Sequence, residues 1–355
     1  MPTELSVRAG NQVDPANPSK PSPGFGAPPP SRFEARIVEW LCEPLLERIP
    51  ASVHPNTISL WTHFIAWLTA ACAVGSAQLE QPYRSFALLG ASVGMLLSMI
   101  GDCLDGMHAR RTHQTSKLGE MMDHWLDAII VPLVTIGASM ALEMNPWVTA
   151  GVNLMVAMVY HAQLVLYHHT GKFIHPETAS GVEGQFGVSV GYVGMAALFY
   201  YVHRSAPWLD VALIALGALA MAVELKCSAF YYMKPGFRMD RHLVFVAMGG
   251  GLCALYLLDI ISVYAFLMTL IFTSFRISGT YVLYTIIKRP YAGTDYGIVA
   301  FIAAIAAAHY ALPGAALSGL ALPSALAYIA CAYMFGRNML DFARHYETLR
   351  PRARG

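Results

Sequence analysis

The chain has 355 residues, 56% of them hydrophobic and 13% charged, with a formal net charge of +1. A soluble domain carries about 25% charged residues, so this composition excludes an ordinary soluble fold, and the near-zero net charge predicts no nucleic-acid partner. The six cysteines (Cys42, Cys72, Cys103, Cys227, Cys253, Cys331) show no paired spacing and read as buried thiols, not disulfides or metal ligands.

Residues 1–32 contain eight prolines and no apolar core, which predicts a disordered tail and no cleavable signal. Residues 33–50 mix Phe33, Ile37, Trp40, Leu41 and Leu45 with Glu34, Arg36, Glu43 and Glu47. That pattern predicts an amphipathic helix lying in the membrane interface; the alternative is a helix packed on the spans, and Pro44 interrupts either. Ten apolar segments follow, at 57–78, 85–104, 118–142, 147–169, 186–203, 207–225, 242–259, 261–287, 297–313 and 317–336. Segments of this kind cross a bilayer as helices. The expected fold is therefore all-α, a polytopic membrane helix bundle of about ten transmembrane helices behind one interfacial helix. The separations near Leu209 and Leu258 are the least distinct. A basic tail, 338–355, closes the chain.

With the N-terminus placed in the cytoplasm, 20 of the 23 Lys and Arg fall on the cytoplasmic side, as the positive-inside rule expects. Arg84 and Arg204 fall outside. Arg276 lies within a span and is expected to snorkel or pair with an acid, with a lipid-phosphate contact as the alternative. His161, His168, His169 and Gln163 make the fourth span polar and are expected to hydrogen-bond between helices.

Charged groups inside spans are costly and therefore informative. Asp102 and Asp105 stand three apart at the cytoplasmic end of the second span, and Asp123 and Asp127 four apart near the start of the third. Each spacing puts its pair on one helix face. The short turn between the spans allows them to run antiparallel as neighbours, which brings four carboxylates together. Hard divalent cations are the natural counter-charge for such oxygens, and two of them suit a pyrophosphate. Gly106 and Gly119 remove side chains where a substrate approaches the backbone, and Arg110 offers a forked donor to phosphate. Two other readings are weaker. Acids paired with Arg110, Arg111 and Lys117 for packing leave one acid over. A cation transporter would place its acids nearer mid-membrane, and the intact set of metal ligands argues against a transporter or scaffold with a degenerate site.

Asp102, Asp105, Gly106, Ala109, Arg110, Gly119, Asp123 and Asp127 fit D-x2-D-G-x2-A-R-x8-G-x3-D-x3-D. The chain thereby resembles the CDP-alcohol phosphotransferases. The resemblance implies a six-helix catalytic core (here 51–225, with four added helices over 226–337), a cytoplasm-facing site, two Mg²⁺ or Mn²⁺ ions and a homodimer. The length, Leu118-Gly119-Glu120 through Asp123-His124, and Pro55-Asn56-Thr57-Ile58-Ser59 look like the choline/ethanolamine phosphotransferase branch, and Gly181 to Gln185 echoes it faintly. Trp125 and Ala128 depart from that branch, where glycine and serine are usual.

The resemblance implies that Asp102, Asp105, Asp123 and Asp127 hold metal. Asn56, Gly106, Ala109, Arg110, Gly119 and Glu120 then border the CDP-alcohol; Asn56 is equally a helix N-cap. His124 or Asp127 takes the acceptor proton, with His124 preferred because it titrates near neutrality and Glu120 stands four residues before it. Glu183 either reaches the site or is a loop carboxylate. The implied substrates are CDP-ethanolamine or CDP-choline and a diacylglycerol-type lipid hydroxyl, in a bacterial inner membrane or endoplasmic reticulum. The rival reaction moves a phosphatidyl group from CDP-diacylglycerol to a small alcohol.

Overall fold

A computed structural model describes residues 31–171, 174, 181–202, 207–291, 293–317 and 319–349. The expected disordered tail over residues 1–30, Arg204 and the end of the basic tail lie outside them. The described chain is helical, with a two-residue-per-strand antiparallel ribbon, β1 (Ala316–Leu317) and β2 (Leu320–Ala321), as its one excursion.

The first helix starts on a Ser31 cap and runs as α1 (Arg32–Ile37), a wider π-turn at Val38–Cys42, and α2 (Glu43–Leu46). Pro44 explains the wide turn. Its ring would clash with the carbonyl four residues back and it has no N–H to give, so the backbone adds a residue to the turn instead of breaking. Cys42 is buried, Trp40 and Leu41 are exposed, and the Arg111 guanidinium takes the carbonyls of Leu46 and Ile49 at the segment's end.

The ten predicted segments correspond in order to α3 (Pro55–Ser76), α4 (Tyr83–Arg111), α5 (Lys117–Ala141), α6 (Pro146–Thr170), α7 (Gly181–Tyr201), α8 (Pro207–Tyr232), α9 (Met239–Leu257), α10 (Val263–Ile286), α11 (Tyr296–Ala311) and α12 (Leu322–Leu349). Among the described residues, α3, α4, α5, α6, α8 and α10 are long and apolar enough to cross a membrane. Of the two indistinct junctions, residues 203–206 of the one before Leu209 lie outside the described residues, and the one at Leu258 is sharp. Asp259, with φ 57°, ends α9, and Ser262 caps α10 by accepting from the Ala265 N–H.

Small residues set the helix pairs, as they must where burying apolar surface gives no advantage over lipid. Gly94 and Gly101 on α4 leave room for Thr69 and Thr62 on α3, and a Cβ at either would overlap the threonine hydroxyl. The two pairs, each seven residues apart, run in opposite directions, so α3 and α4 are antiparallel. The Ser85 hydroxyl donates to Ala196 O, and the Ser92 and Ser189 hydroxyls meet, both at 2.9 Å. This makes α4 and α7 antiparallel as well. His161 meets Ser278 at 3.3 Å and His168 meets Thr285 at 3.0 Å, so α6 and α10 run parallel and these two hydrogen-bond between helices, whereas His169 turns back to Val165 O on α6 and Gln163 donates to Ile174 O beyond it. The largest apolar core joins α5, α6, α9, α10 and α12. A smaller one, with Leu88, Tyr192 and Phe199, closes the end of the bundle remote from the acids. There Arg84 is held by Ala141 O and Glu143, both at 2.8 Å, and lies over the Phe199 ring.

All six cysteines are free. Cys42, Cys253 and Cys331 are buried as expected, but Cys72 is exposed on α3, because its face carries the outward apolar residues Trp61 and Leu68 rather than the α4 contact.

Candidate active site

Two helix ends make the site. α4 carries Asp102, Asp105, Gly106 and Ala109 at positions i, i+3, i+4 and i+7, a single stripe. α5 begins at a Ser116 cap whose hydroxyl accepts from Gly119 N–H at 3.0 Å, which fixes the turn and starts the helix so that Asp123 and Asp127 share a face. The result is convergence. Carboxylate oxygens of Asp102, Asp105 and Asp123 lie within 4.8 Å of one another, and so do ligand atoms of Asp123, His124 and Asp127. Asp123 belongs to both groups.

The third wall is α3. The Ser59 hydroxyl donates to Asp105 Oδ2 at 2.5 Å. His63 is buried and donates from Nδ1 to Ser59 O at 2.7 Å, while its Nε2 lies 3.7 Å from Asp127 Oδ1. With Nδ1 donating to the carbonyl, Nε2 faces the Asp127 carboxylate, and a proton there would let the ring hold that acid. His63 was not among the sequence candidates, and Ser59 entered only as the last residue of the Pro55–Ser59 motif. The legible signal was polarity within an apolar span: Ser59 and His63 stand one turn apart on the stripe that continues as Ala66 and Ala70, all buried.

The remaining sequence candidates distribute as follows. Gly106 leaves space for Arg110, whose Nη1 would stand 3.2 Å from a Cβ there, so the guanidinium folds back along the acidic stripe. Gly119 faces Asn56, whose Oδ1 would be 3.3 Å from a Cβ. Asn56 is not the N-cap of α3, which corrects that expectation. Pro55 fixes the first helical position, and His54 caps through Nδ1, accepting from Asn56 N–H at 3.2 Å. The amide of Asn56 is thereby free to reach across to α5. His124 has its Nδ1 3.9 Å from Asp123 Oδ2. The Tyr167 ring meets it edge-on at 5.9 Å, and the Tyr167 hydroxyl donates to Glu120 at 2.8 Å, so a tyrosine bridges Glu120 and His124. Tyr160 donates to the His124 carbonyl at 2.8 Å. Glu183 sits in the first turn of α7. The α4–α7 register sets it level with Ser98, one turn before Asp102.

Trp125 points away from the acids. Its indole covers Gly279 and stacks near Phe275 at 4.8 Å and Phe342 at 5.8 Å. The departure from glycine is therefore answered by a glycine on the facing helix, α10.

The donor set fits a hard divalent cation. It is all oxygen apart from one imidazole, and oxygens bound at about 2.0–2.6 Å from an ion stand within the separations found here. Residues 52–225 match the family model described as CDP-alcohol phosphatidyltransferase. Residues 52–225 carry this family's domain. Members generally depend on divalent metal, in keeping with the acidic clusters. The family domain spans α3 to most of α8 and contains every acid of the site. Among curated relatives, cholinephosphotransferase 1 of Gallus gallus is 33% identical over 129 residues, covering 35% of this chain and 38% of that protein. The Xenopus laevis protein of the same name is 30% identical over 129 residues, 35% of this chain and 32% of its own. That of Saccharomyces cerevisiae is 25% identical over 148 residues, 41% and 38%. The chain thus spans about a third of the length of these relatives, which support the choline/ethanolamine branch. The six apolar helices and these relatives make it an integral membrane protein.

Proposed function

We propose that this protein transfers phosphocholine or phosphoethanolamine from CDP-choline or CDP-ethanolamine to the hydroxyl of a diacylglycerol-type lipid, releasing CMP. The observation that carries the reading is the meeting of Asp102, Asp105, Asp123 and Asp127 through the shared Asp123, on residues that complete the family motif. The four aspartates hold two Mg²⁺ or Mn²⁺ ions. Bound cations neutralise the pyrophosphate and the charge that develops on the leaving CMP.

The chain's own residues supply the rest. Arg110, folded along Gly106, presents its fork to a phosphate. Asn56, Ala109 and Gly119 border the nucleotide, with Glu120 beside them. His124 takes the proton of the acceptor hydroxyl, which attacks the β-phosphorus; Asp127 is the competing base. His63 holds Asp127 from the α3 side, and Glu183 approaches from α7. The catalytic unit is 51–225, and α9 to α12 are an added layer. All ten helices cross the membrane, the α1–α2 segment lies in the interface with Trp40 and Leu41 toward lipid, and the acids face the cytoplasm. The protein is a homodimer; the sparsely buried α8 supports a second copy against that helix.

Purified protein in detergent with Mg²⁺, a panel of labelled CDP-alcohols and lipid acceptors tests this, with products resolved by mass. CDP-choline or CDP-ethanolamine is expected to yield the corresponding phospholipid and CMP, EDTA to abolish turnover, and Mg²⁺ or Mn²⁺ to restore it. Activity with CDP-diacylglycerol and a soluble alcohol instead would establish the phosphatidyl-transfer reading, and full turnover in chelator would end the metal mechanism.

A further inference from the structure

A cavity of about 330 Å³ lies between α10, α11 and α12, outside the matched residues 52–225. No acid of the catalytic cluster lines it. Its wall holds Arg276, Thr280, Asp295, Arg337, Asp341 and Arg344. Three arginines against two aspartates leave one positive charge.

Hydrogen bonding sharpens that excess. The buried Arg276 donates Nε to Asp295 at 2.8 Å and Nη1 to Asp341 at 2.7 Å, with Asn338 at 3.0 Å and Thr280 at 3.1 Å. Asp295 also accepts from Tyr333 OH at 2.9 Å and Gly297 N–H at 3.1 Å. Arg276 therefore takes one oxygen of each acid, and the other Asp341 oxygen accepts a 3.5 Å hydrogen bond from Arg344. Arg337 is left with a 4.0 Å approach to Asp295; its side chain is 39% exposed, and its Nε is the part shut off from solvent, with no hydrogen-bond partner among the described residues. Arg344 stands 3.5 Å from Asp341 with its side chain 62% exposed. A buried guanidinium N–H without a partner is costly and marks a place for an acceptor.

We infer that this cavity is a binding site for a phosphate-class monoanion, held by Arg337 and Arg344, with Arg276 and its two aspartates as the fixed floor. A fork of N–H donors matches phosphate oxygens two at a time, and one negative charge balances the net charge of the wall. The site stands at the polar ends of membrane helices, beside the exposed Tyr296, which favours the phosphodiester of an anionic phospholipid; free phosphate has the same chemistry. The inference does not depend on the catalytic reading.

Native mass spectrometry of the full chain in nonionic detergent, titrated with phosphatidylglycerol or phosphatidylcholine, tests it. Wild type is expected to bind one phosphatidylglycerol in preference. R337Q/R344Q is expected to weaken that binding about tenfold or more, the scale of one lost charge-assisted hydrogen bond, and R337K/R344K to retain part of it. K288Q/R289Q removes two exposed charges outside the cavity and is expected to leave the preference intact. Displacement of the lipid by inorganic phosphate identifies a soluble source, and persistence of the lipid identifies the headgroup; either supports the site. Equal binding by wild type and R337Q/R344Q, or equal loss in K288Q/R289Q, overturns it. Should R337Q/R344Q not fold, R344Q alone, at an exposed side chain, carries the same comparison.

Discussion

At the scale of single residues, the site turns on which group moves a proton and which only holds charge. His124 stands one residue after Asp123 and three before Asp127, and its Nδ1 lies 3.9 Å from Asp123. General-base assistance is worth about 10²–10⁴-fold in rate. His124→Ala is therefore expected to lower kcat by that order while leaving CDP-alcohol and metal binding nearly intact. Asp127→Ala is expected to damage metal binding as well. Turnover measured beside nucleotide and metal binding separates the two. Near-normal turnover in His124→Ala would pass the base role to Asp127, and loss of CDP-alcohol binding would make the ring a nucleotide contact. The motif made the acids readable because chemistry constrains their spacing. Ser59 and His63 were not readable as partners because what places them there is the seven-residue Gly–Thr contact between α3 and α4, a fact about two helices together.

Between elements, α10 is the joint. It touches α5 through Trp125 and Gly279 and α12 through Arg276. Removing a large buried aromatic costs about 3–5 kcal/mol, so Trp125→Ala is expected to lower the thermal midpoint in detergent clearly, and an unchanged midpoint would show that the indole does not dock α10. The Arg276 knot has a pH signature. Burial pushes the Asp295 carboxyl up, but hydrogen bonds from Arg276 and Tyr333 outweigh it and hold the group below its usual range. A depressed folded value means that the contribution is fully present above the unfolded pKa of about 3.9 and is lost as pH falls through the folded value. Stability is expected to fall on acidification below about pH 4, and this acid-dependent part to shrink in Asp295→Asn. An identical acid profile in both proteins would remove Asp295 from the account. Arg276→Met strands two carboxylates and is expected to cost about 3–5 kcal/mol at neutral pH, read by the same melts.

For the whole molecule, charge asymmetry and antiparallel packing agree on one polar end. The acids of α4 and α5, the histidines at the end of α6, and Arg337 and Arg344 of α12 belong to it, while Arg84 is tied down at the other. A single cysteine at Thr115, in a background without native cysteines, is expected to react only with reagents added on the cytoplasmic side. Labelling from the opposite face would overturn the proposed orientation. The sequence by itself determined the helical class, the order of the ten segments and the four aspartates, because membrane solvation forces helices and continuous apolar runs, and because intramembrane acids must be accounted for. The tertiary structure alone decided what depends on two elements meeting. It capped α3 with His54 and so freed Asn56 to reach Gly119, it turned Trp125 away from the acids onto Gly279, and it brought Arg276, Asp295 and Asp341 together from three separated stretches. The physical reason is that spacing along one helix fixes which residues share a face, whereas which face meets which neighbour depends on close packing between small residues far apart in the chain.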